Sequence, residues 1–375
     1  MKSTRAIRII TSLSVAIVLV SSVSSFGLGQ ISSSIARIDV FNTLDDRPEK
    51  TSKAENYLLV GSDTREGLTK QQMRELRVGS TATAAGGRSD TMLIIHLSKA
   101  RDRAYIISLP RDSLVVIPEH VSSSDKKTMI PARKGKLNSA FSYGGAPLLI
   151  ETIELATSIK IDHYVEVSFA GFAGIVDALG GIEVCTKVDI DDPKSHLVLS
   201  AGVHTLDGIE ALKYVRTRDF DGRGDIGRMQ RQQQFMSAVL NKATSSGTLL
   251  NPFKVKNFIN ASLASVKLDS GLAPDDLLTL AKQMKNLSSG NVRTLTVPLS
   301  NPNGRVDGVG SVVIWDEVLG ADLWTRVRDD LPLVDEVTPT PSASASASAT
   351  AKPTPVIVDK FKTRTADENP CGEIK

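Results

Sequence analysis

Short apolar runs that alternate with amphipathic helical segments are the feature that most restricts the fold of this chain. Six runs are typical of buried strands: Tyr57–Gly61, Met92–Leu97, Ala104–Leu109, Tyr164–Val167, Ile182–Val188 and Val292–Val297. The clearest helical patterns are Ala146–Ser158, Phe169–Leu179, Leu206–Arg216, Ile226–Lys242 and Pro274–Leu287. Because strands interleaved with helices bury their apolar surfaces in layers, we predict an α/β fold with a mixed central sheet flanked by helices.

Residues 1–29 carry the signal of an exported protein. Three basic residues precede an uncharged run from Ile9 to Gly29, whose length suits one helix across a membrane. The cations place the N-terminus inside the cell and everything after the run outside, as in a single-pass protein of the cell membrane with an extracytoplasmic domain. Serines at Ser22 and Ser24 leave a cleaved signal peptide as the alternative, and both interpretations export the chain.

The rest of the chain divides into a stalk, one domain, a linker and a tail. Residues 30–54 are polar and predict a stalk, and residues 55–333 have the patterning of one compact domain. Residues 334–358 include the repeat TPTPSASASASATAKPTP, which cannot bury a core and is typical of an extended, disordered linker. The tail, residues 359–375, contains Cys371.

The chain has two cysteines, Cys185 and Cys371. They are too few and too far apart in the sequence for a zinc cluster. In an exported protein they favour a disulfide that ties the C-terminus to the core. The alternative is two unrelated thiols, one of them buried in a strand.

Charged residues lie at the ends of three predicted strands and at a turn just before a predicted helix. The ends of strands are where α/β proteins form their functional sites. The stretches are GSDTR at 61–65, GRSDT at 87–91, SLPRDS at 108–113 and KLNSA at 136–140. A lone acid after a strand is more often a turn residue or helix cap than a ligand, but four such stretches favour one shared site. They supply Asp63, Arg65, Arg88, Asp90, Arg111, Asp112, Lys136 and Asn138.

Asp63 and Asp90 lie beside arginines, which predicts a hard divalent cation, Mg²⁺ or Mn²⁺, shared with phosphate oxygens. The five histidines form no ligand pair at helical spacing, and no G-x-S-x-G, P-loop or H-E-x-x-H motif occurs. These absences disfavour serine-triad and zinc hydrolysis. The formal charge of +3 is too small to indicate bulk nucleic-acid binding.

The densest group of arginines lies at a predicted helix–loop–helix corner. The first helix ends near Arg216, Arg218 follows on the exit loop, and Asp225 begins the second helix. Side chains three and four residues apart on the second helix share one face. The corner therefore collects Arg216, Arg218, Asp225, Arg228, Arg231 and Gln232.

This corner predicts a site for an anion such as pyrophosphate. A planar guanidinium suits phosphate oxygens and keeps its charge. The alternative is a helix N-cap at Asp225 followed by a solvated helix face. We prefer the anion site because no run of acids four residues along pairs with these arginines.

Seven motifs in a fixed order resemble the LytR-CpsA-Psr family over about Asn56–Ala243. They read NYLLVGSDTREG, GGRSDTMLIIHL, ISLPRDSLVVIP, KLNSAFSYGG, HYVEVSFAGFAGIVDALGGIEV, AGVHTLDGIEALKYVRTR and DIGRMQRQQQ. The N-terminal anchor, the position of Cys185 and the C-terminal TADENPCG segment resemble actinobacterial members.

The resemblance implies a phosphotransferase that moves a glycopolymer from a polyprenyl-pyrophosphate carrier onto peptidoglycan as a phosphodiester and releases polyprenyl phosphate. It implies an α-β-α sandwich in which the lipid tail lies in an apolar channel. The segment Pro147–Ile159 is either a wall of that channel or an ordinary core helix. A polyprenyl-pyrophosphate hydrolase and a non-enzymatic wall-binding or regulatory protein are the rival interpretations.

The motifs also assign site residues. Asp63 and Asp90 correspond to the magnesium-coordinating acids of the family. Its phosphate-binding arginines correspond to Arg88, Arg111, Arg216, Arg218 and Arg228, and Lys136, Asn138, Asp225, Arg231 and Gln232 fall in or near the same site. Asp112 or Asp225 would orient or deprotonate the attacking hydroxyl. The basic stretch Val121–Lys134 has no assigned role.

Overall fold

The computed structural model describes residues 36–78, 89–245, 266–273, 287–337 and 356–368, together with Asp276, Thr279, Leu280, Gln283 and Cys371. The strands are β1 Ala36–Ile38, β2 Glu55–Ser62, β3 Ser89–Leu97, β4 Ala104–Leu109, β5 Leu114–Ile117, β6 His120–Val121, β7 Met129–Ile130, β8 Arg133–Lys136, β9 His163–Val167, β10 Ile182–Thr186, β11 Ile190–Asp192, β12 Leu197–Leu199, β13 Gly202–Leu206, β14 Val266–Asp269, β15 Val292–Thr296, β16 Leu299–Val306, β17 Gly310–Trp315, β18 Asp335–Val337, β19 Val356–Val358 and β20 Arg364–Thr365. The helices are α1 Lys70–Glu75, α2 Leu137–Thr157, α3 Phe169–Ala178, α4 Gly208–Arg216, α5 Gly224–Ser245 and α6 Glu317–Arg328, with a short 3₁₀ turn at Ser289–Asn291.

An eight-stranded mixed sheet lies at the centre, in the order β1-β14-β9-β2-β3-β4-β15-β20. The pairs β1–β14, β2–β9 and β4–β15 are parallel, and the other neighbours are antiparallel. The prediction of an α/β fold with a mixed sheet is confirmed. The predicted strand Ile182–Val188 lies outside this sheet, because β10 pairs only with β13 in a separate hairpin.

Alternate residues of the central strands face two different helical layers. Leu58 and Ile94 pack in a cluster with residues of α2 and α6. Leu93 and Ile106, on the opposite face, pack against residues of α5. Because side chains along a strand alternate between faces, strands with apolar residues at every position are sandwiched between helices.

Helix α2 begins nine residues earlier than predicted and is kinked. Gly145 has φ +66° and interrupts the helical backbone, and Pro147 follows two residues later. Proline has no N–H to donate and disfavours helical backbone before it, so the kink falls where glycine tolerates a positive φ. Leu149 and Ile153 are fully buried in the main core cluster, which supports the core-helix interpretation of this segment.

The region preceding β2 packs on the domain from residue 36 onward. Strand β1 joins the sheet, Val40 is fully buried, and Arg47 forms an ion pair with Glu154 of α2 at 2.6 Å. The structure therefore assigns residues 36–54 to the domain instead of a separate stalk. The predicted span Ile9–Gly29 lies outside the described residues, and none of the helices within them is both long and apolar enough to cross a bilayer.

The C-terminal tail also belongs to the domain, whose predicted end was residue 333. β20 adds an edge strand beside β15, and Phe361 is buried in the main core cluster. Cys371 forms a disulfide with Cys185 of β10, with 5.8 Å between their Cα atoms. The repeat at 338–355 lies outside the described residues, and β18 and β19 on either side of it pair with each other. The predicted disulfide is confirmed.

We expect the Cys185–Cys371 disulfide to be closed and stabilising. Alkylation of the unfolded protein without reductant should label neither cysteine, and reduction should expose both. Cys371→Ser should lower the free energy of unfolding in urea by about 2–4 kcal/mol, because the cross-link restricts the unfolded chain. Cys185→Ser and the double variant should lose the same amount; additive losses would contradict the pairing.

Candidate active site

The ends of four central strands meet at one edge of the sheet. β2, β4 and β9 end there and β3 begins there, since β3 runs antiparallel to both β2 and β4. Gly61 pairs with Thr91 and Ser62 pairs with Ser89, which makes Asp90 the extra residue of a β-bulge. A Cβ on Gly61 would lie 3.1 Å from Thr91 Cβ, so glycine permits this close approach of the strands.

A continuous series of ion pairs crosses this edge. Lys136 Nζ lies 2.9 Å from Asp112 Oδ1, and Arg111 Nε lies 3.4 Å from both Asp112 Oδ2 and Asp225 Oδ2. Asp225 also contacts Arg228 at 3.0 Å and Arg218 at 3.8 Å. We call these six residues the arginine network. Within these six residues four cations meet two carboxylates, and Arg218 also lies 3.8 Å from Asp219 Oδ1.

The turn after β4 holds Arg111 and Asp112 in place. The N–H of Ser113 donates to the carbonyl of Pro110, and the Ser113 hydroxyl accepts from Trp315 Nε1 at 2.8 Å. The first turn of α2 closes on the same segment, because the N–H of Asn138 donates to the carbonyl of Arg111 at 3.0 Å. Lys136 is the residue immediately before α2, so the helix start positions its ammonium group.

Asp192 holds the loop that carries Arg218. Its Oδ2 accepts the backbone N–H groups of Arg218 at 2.6 Å and Asp219 at 2.8 Å, and its Oδ1 accepts those of Lys194 and Ser195. Burial alone would raise the pKa of Asp192, but the four backbone donors outweigh it and lower the pKa to about 2. The carboxylate is therefore ionised at neutral pH and fixes the loop.

Arg231 holds the same loop through a second set of contacts. Its Nη1 donates to Asp221 at 2.8 Å, its Nη2 donates to the carbonyl of Thr217 at 2.6 Å, and its guanidinium lies over the ring of Phe220. The residue is only 7% exposed. The structure places Arg231, which the sequence assigned to pyrophosphate binding, among the internal supports of the loop.

Two further predicted residues connect the helices to the sheet edge. Gln232 Nε2 donates to Thr91 Oγ1 at 3.0 Å and to the carbonyl of Val215 at 3.2 Å, and so joins α5, β3 and the end of α4. The Arg216 guanidinium lies 5.2 Å from the ring centre of Phe169, at the start of α3. Both contacts lie at the sheet edge that carries the arginine network.

The structure thus brings together Lys136, Arg111, Asp112, Arg218, Asp225 and Arg228. Asp63 and Arg65 are partly buried directly after β2. Arg88 and the side chain of Asp90 lie outside the described part of the chain. Sequence analysis missed Asp192 and Asp221, because an acid before Pro193 or within a polar loop is typical of an ordinary turn.

No run of acids four residues along the helix pairs with these arginines, but the structure supplies acidic partners at other spacings. Asp225 pairs with Arg228 three residues along the helix, and Asp221 reaches Arg231 from the loop. A search limited to helical spacing of four residues does not find partners that tertiary structure supplies. The arginine network is therefore partly neutralised within the protein.

The model of the LytR_cpsA_psr family matches residues 28–327. This chain belongs to the LytR-CpsA-Psr family. LcpB of Corynebacterium glutamicum, a probable cell wall biosynthesis protein, is 38% identical over 273 residues, which cover 73% of this chain and 61% of LcpB. The chain thus spans about three fifths of the length of that relative.

Two further relatives align with this chain over a larger share of their own length. TagU of Bacillus mycoides, a polyisoprenyl-teichoic acid–peptidoglycan teichoic acid transferase, is 30% identical over 297 residues, 78% of this chain and 90% of TagU. The solved structure of TagT bound to LI-WTA matches with a TM-score of 0.56 and 26% identity, covering 80% of this chain and 98% of TagT. The mixed sheet between helices is thus the fold of other members of the family.

Asp192→Asn should lower the free energy of unfolding at pH 7 by about 2 kcal/mol or more, because an amide cannot accept all four backbone donors. The pKa of Asp192 is lower in the folded protein than its usual 3.8. The contribution of the carboxylate to the free energy of unfolding is therefore complete above about pH 4 and is lost toward pH 2. The free energies of unfolding of the wild type and the Asp192→Asn variant, measured in urea, should therefore converge as the pH falls through this range. Asp191→Asn, at the exposed neighbour, is the control and should match the wild type at every pH.

Proposed function

We propose that this chain is a phosphotransferase that attaches a glycopolymer from a polyprenyl-pyrophosphate carrier to peptidoglycan as a phosphodiester. The observation that carries the proposal is the arginine network, in which Arg111, Arg218 and Arg228 surround one carboxylate at the edge of the sheet. The similarity to TagU, a polyisoprenyl-teichoic acid–peptidoglycan teichoic acid transferase, and to LcpB, a probable cell wall biosynthesis protein, supports the same class of reaction. The polyprenyl carrier and the acceptor are part of the proposal.

The network suits a diphosphate because its guanidinium groups lie close together. Asp225 holds three guanidinium groups whose mutual repulsion would otherwise separate them. Phosphate oxygens accept hydrogen bonds from guanidinium groups in a planar geometry, so clustered arginines are suited to a diphosphate. Phosphoryl transfer depends mainly on such positioning and on neutralisation of developing charge.

In the proposed reaction, an acceptor hydroxyl of peptidoglycan attacks the phosphorus that bears the sugar. A new P–O bond forms, the bond from that phosphorus to the bridging oxygen breaks, and polyprenyl phosphate leaves with the electron pair. The hydroxyl proton passes to a carboxylate of the network, for which Asp112 and Asp225 are both placed. The arginines stabilise the charge that develops on the leaving phosphate.

Asp63 and Asp90 fit a divalent cation, Mg²⁺ or Mn²⁺. Asp63 directly follows β2, and the bulge in β3 places the backbone of Asp90 beside that strand end. Magnesium typically takes one or two carboxylates and completes its coordination with water and substrate phosphates. When bound, the ion would neutralise charge on the pyrophosphate, in addition to the arginines.

We further propose that residues 1–29 anchor the protein in the cell membrane with the domain outside the cell. The basic residues before the run Ile9–Gly29 and the length of that run support this placement. A disulfide in the domain is consistent with an oxidising compartment. The anchor would keep the site close to a lipid-borne substrate.

The function is tested by supplying a polyprenyl-pyrophosphate-linked glycopolymer together with peptidoglycan fragments. We expect a phosphodiester-linked product and polyprenyl phosphate. Arg218→Ala should lower turnover by well over tenfold, since a charged hydrogen bond contributes ~1.5–3 kcal/mol and ~1.4 kcal/mol is a factor of ten.

Arg223→Ala is the matched control, because Arg223 is an exposed arginine of the same loop. It should leave turnover unchanged. Release of free glycopolymer phosphate without any linked product would identify a hydrolase instead. Equal turnover of the folded Arg218→Ala protein and the wild type would contradict the role of the network.

We expect turnover to depend on a divalent cation. Chelation should abolish the reaction, and Mg²⁺ or Mn²⁺ should restore it. Asp63→Asn should raise the metal concentration needed for half-maximal turnover at least about tenfold, because one anionic ligand is lost. Glu66→Gln, a nearby exposed acid, should show the metal dependence of the wild type. Full turnover in chelator would refute the metal assignment.

A further inference from the structure

A hairpin with two paired segments lies next to the arginine network. We call residues 114–136 the lip; β5 pairs with β8 at its base and β6 pairs with β7 nearer its tip. Ile117 is fully buried and Val115 nearly so, which anchors the base in the main core. The base ends at Lys136, which contacts Asp112 of the network at 2.9 Å.

Near the tip of the lip, two exposed apolar side chains lie side by side on neighbouring strands. Val121 and Met129 are register partners, 46% and 57% exposed, and Val116 at the base is 42% exposed. About half of the surface of this apolar pair stays in contact with water, which is unfavourable. Such a pair is suited to insertion into another apolar medium.

Four cations of the lip are exposed, namely Lys126, Lys127, Arg133 and Lys134, and Arg133 lies over the ring of Tyr143. Besides Glu119, the lip contains one acid, Asp125. Its carboxylate accepts from the Thr128 hydroxyl and from the backbone N–H groups of Lys127 and Thr128, and so it caps the turn. The outer surface of the lip is therefore basic.

We propose that the lip docks on an anionic phospholipid bilayer, with Val121 and Met129 inserted at the interface and the four cations against lipid headgroups. Apolar residues flanked by Lys and Arg are the combination that binds anionic membrane surfaces. The exposed apolar pair favours a lipid over a soluble anionic polymer, which would engage the cations alone. Docking places the arginine network beside the membrane, where a lipid-linked pyrophosphate is presented.

The membrane contact extends the proposed function but does not require turnover, so the two are tested separately. The full chain carrying Met129→Cys, labelled with the environment-sensitive fluorophore NBD, is reconstituted into vesicles. The native cysteines are joined in a disulfide and do not compete for the label. We expect a blue shift and protection from an aqueous quencher in vesicles containing phosphatidylglycerol, and an exposed probe in pure phosphatidylcholine. The same probe at Val198, 76% exposed on strand β12, should stay in water in both.

Replacement of the four lip cations by glutamine should lower the ratio of docked to undocked probe by more than about a hundredfold, at roughly fivefold for each cation. Four exposed lysines elsewhere serve as the matched control, and their replacement should leave docking unchanged: Lys53, Lys70, Lys99 and Lys187. A Met129 probe that stays in water, or that is shielded equally in phosphatidylcholine, would overturn the proposal. So would a probe that responds only to soluble poly(glycerol phosphate), which would assign the lip to a wall polymer.

Discussion

The structure of the site depends on one carboxylate that holds like charges together. Asp225 lies between Arg111, Arg218 and Arg228, which come from the turn after β4, the loop after α4 and the helix α5. Without an anion between them, three guanidinium groups at this separation repel one another. With Asp225 in place the three guanidinium groups stay close together.

A charged site of this kind is useful only if its loops are immobile, because a catalytic group displaced by a small distance loses much of its effect. Asp192 holds the Arg218 loop through four backbone hydrogen bonds, and Arg231 holds it through Asp221 and the carbonyl of Thr217. Charged residues therefore have two roles here: some form the arginine network, and others fix the backbone that carries it.

The C-terminal tail shows that the folded domain extends beyond the segment that contains the sequence motifs. β20 extends the sheet beyond β15, and Phe361 fills part of the main core. The disulfide from Cys371 to Cys185 then connects the tail to the β10–β13 hairpin. A segment that follows a Pro/Ala/Ser repeat thus contributes to the edge and the core of the fold.

The sequence by itself determined the mixed α/β layers, the disulfide pairing and most members of the site, because strand alternation and charged strand ends are local patterns. Arg111, Asp112, Lys136 and the arginines after α4 were predicted in this way and lie together in the structure. Only the tertiary structure decided that Asp225 links three arginines, that Arg231 supports a loop, and that Asp192 fixes Arg218. Those roles depend on hydrogen bonds and ion pairs between residues many positions apart, and no local spacing encodes which acid meets which arginine.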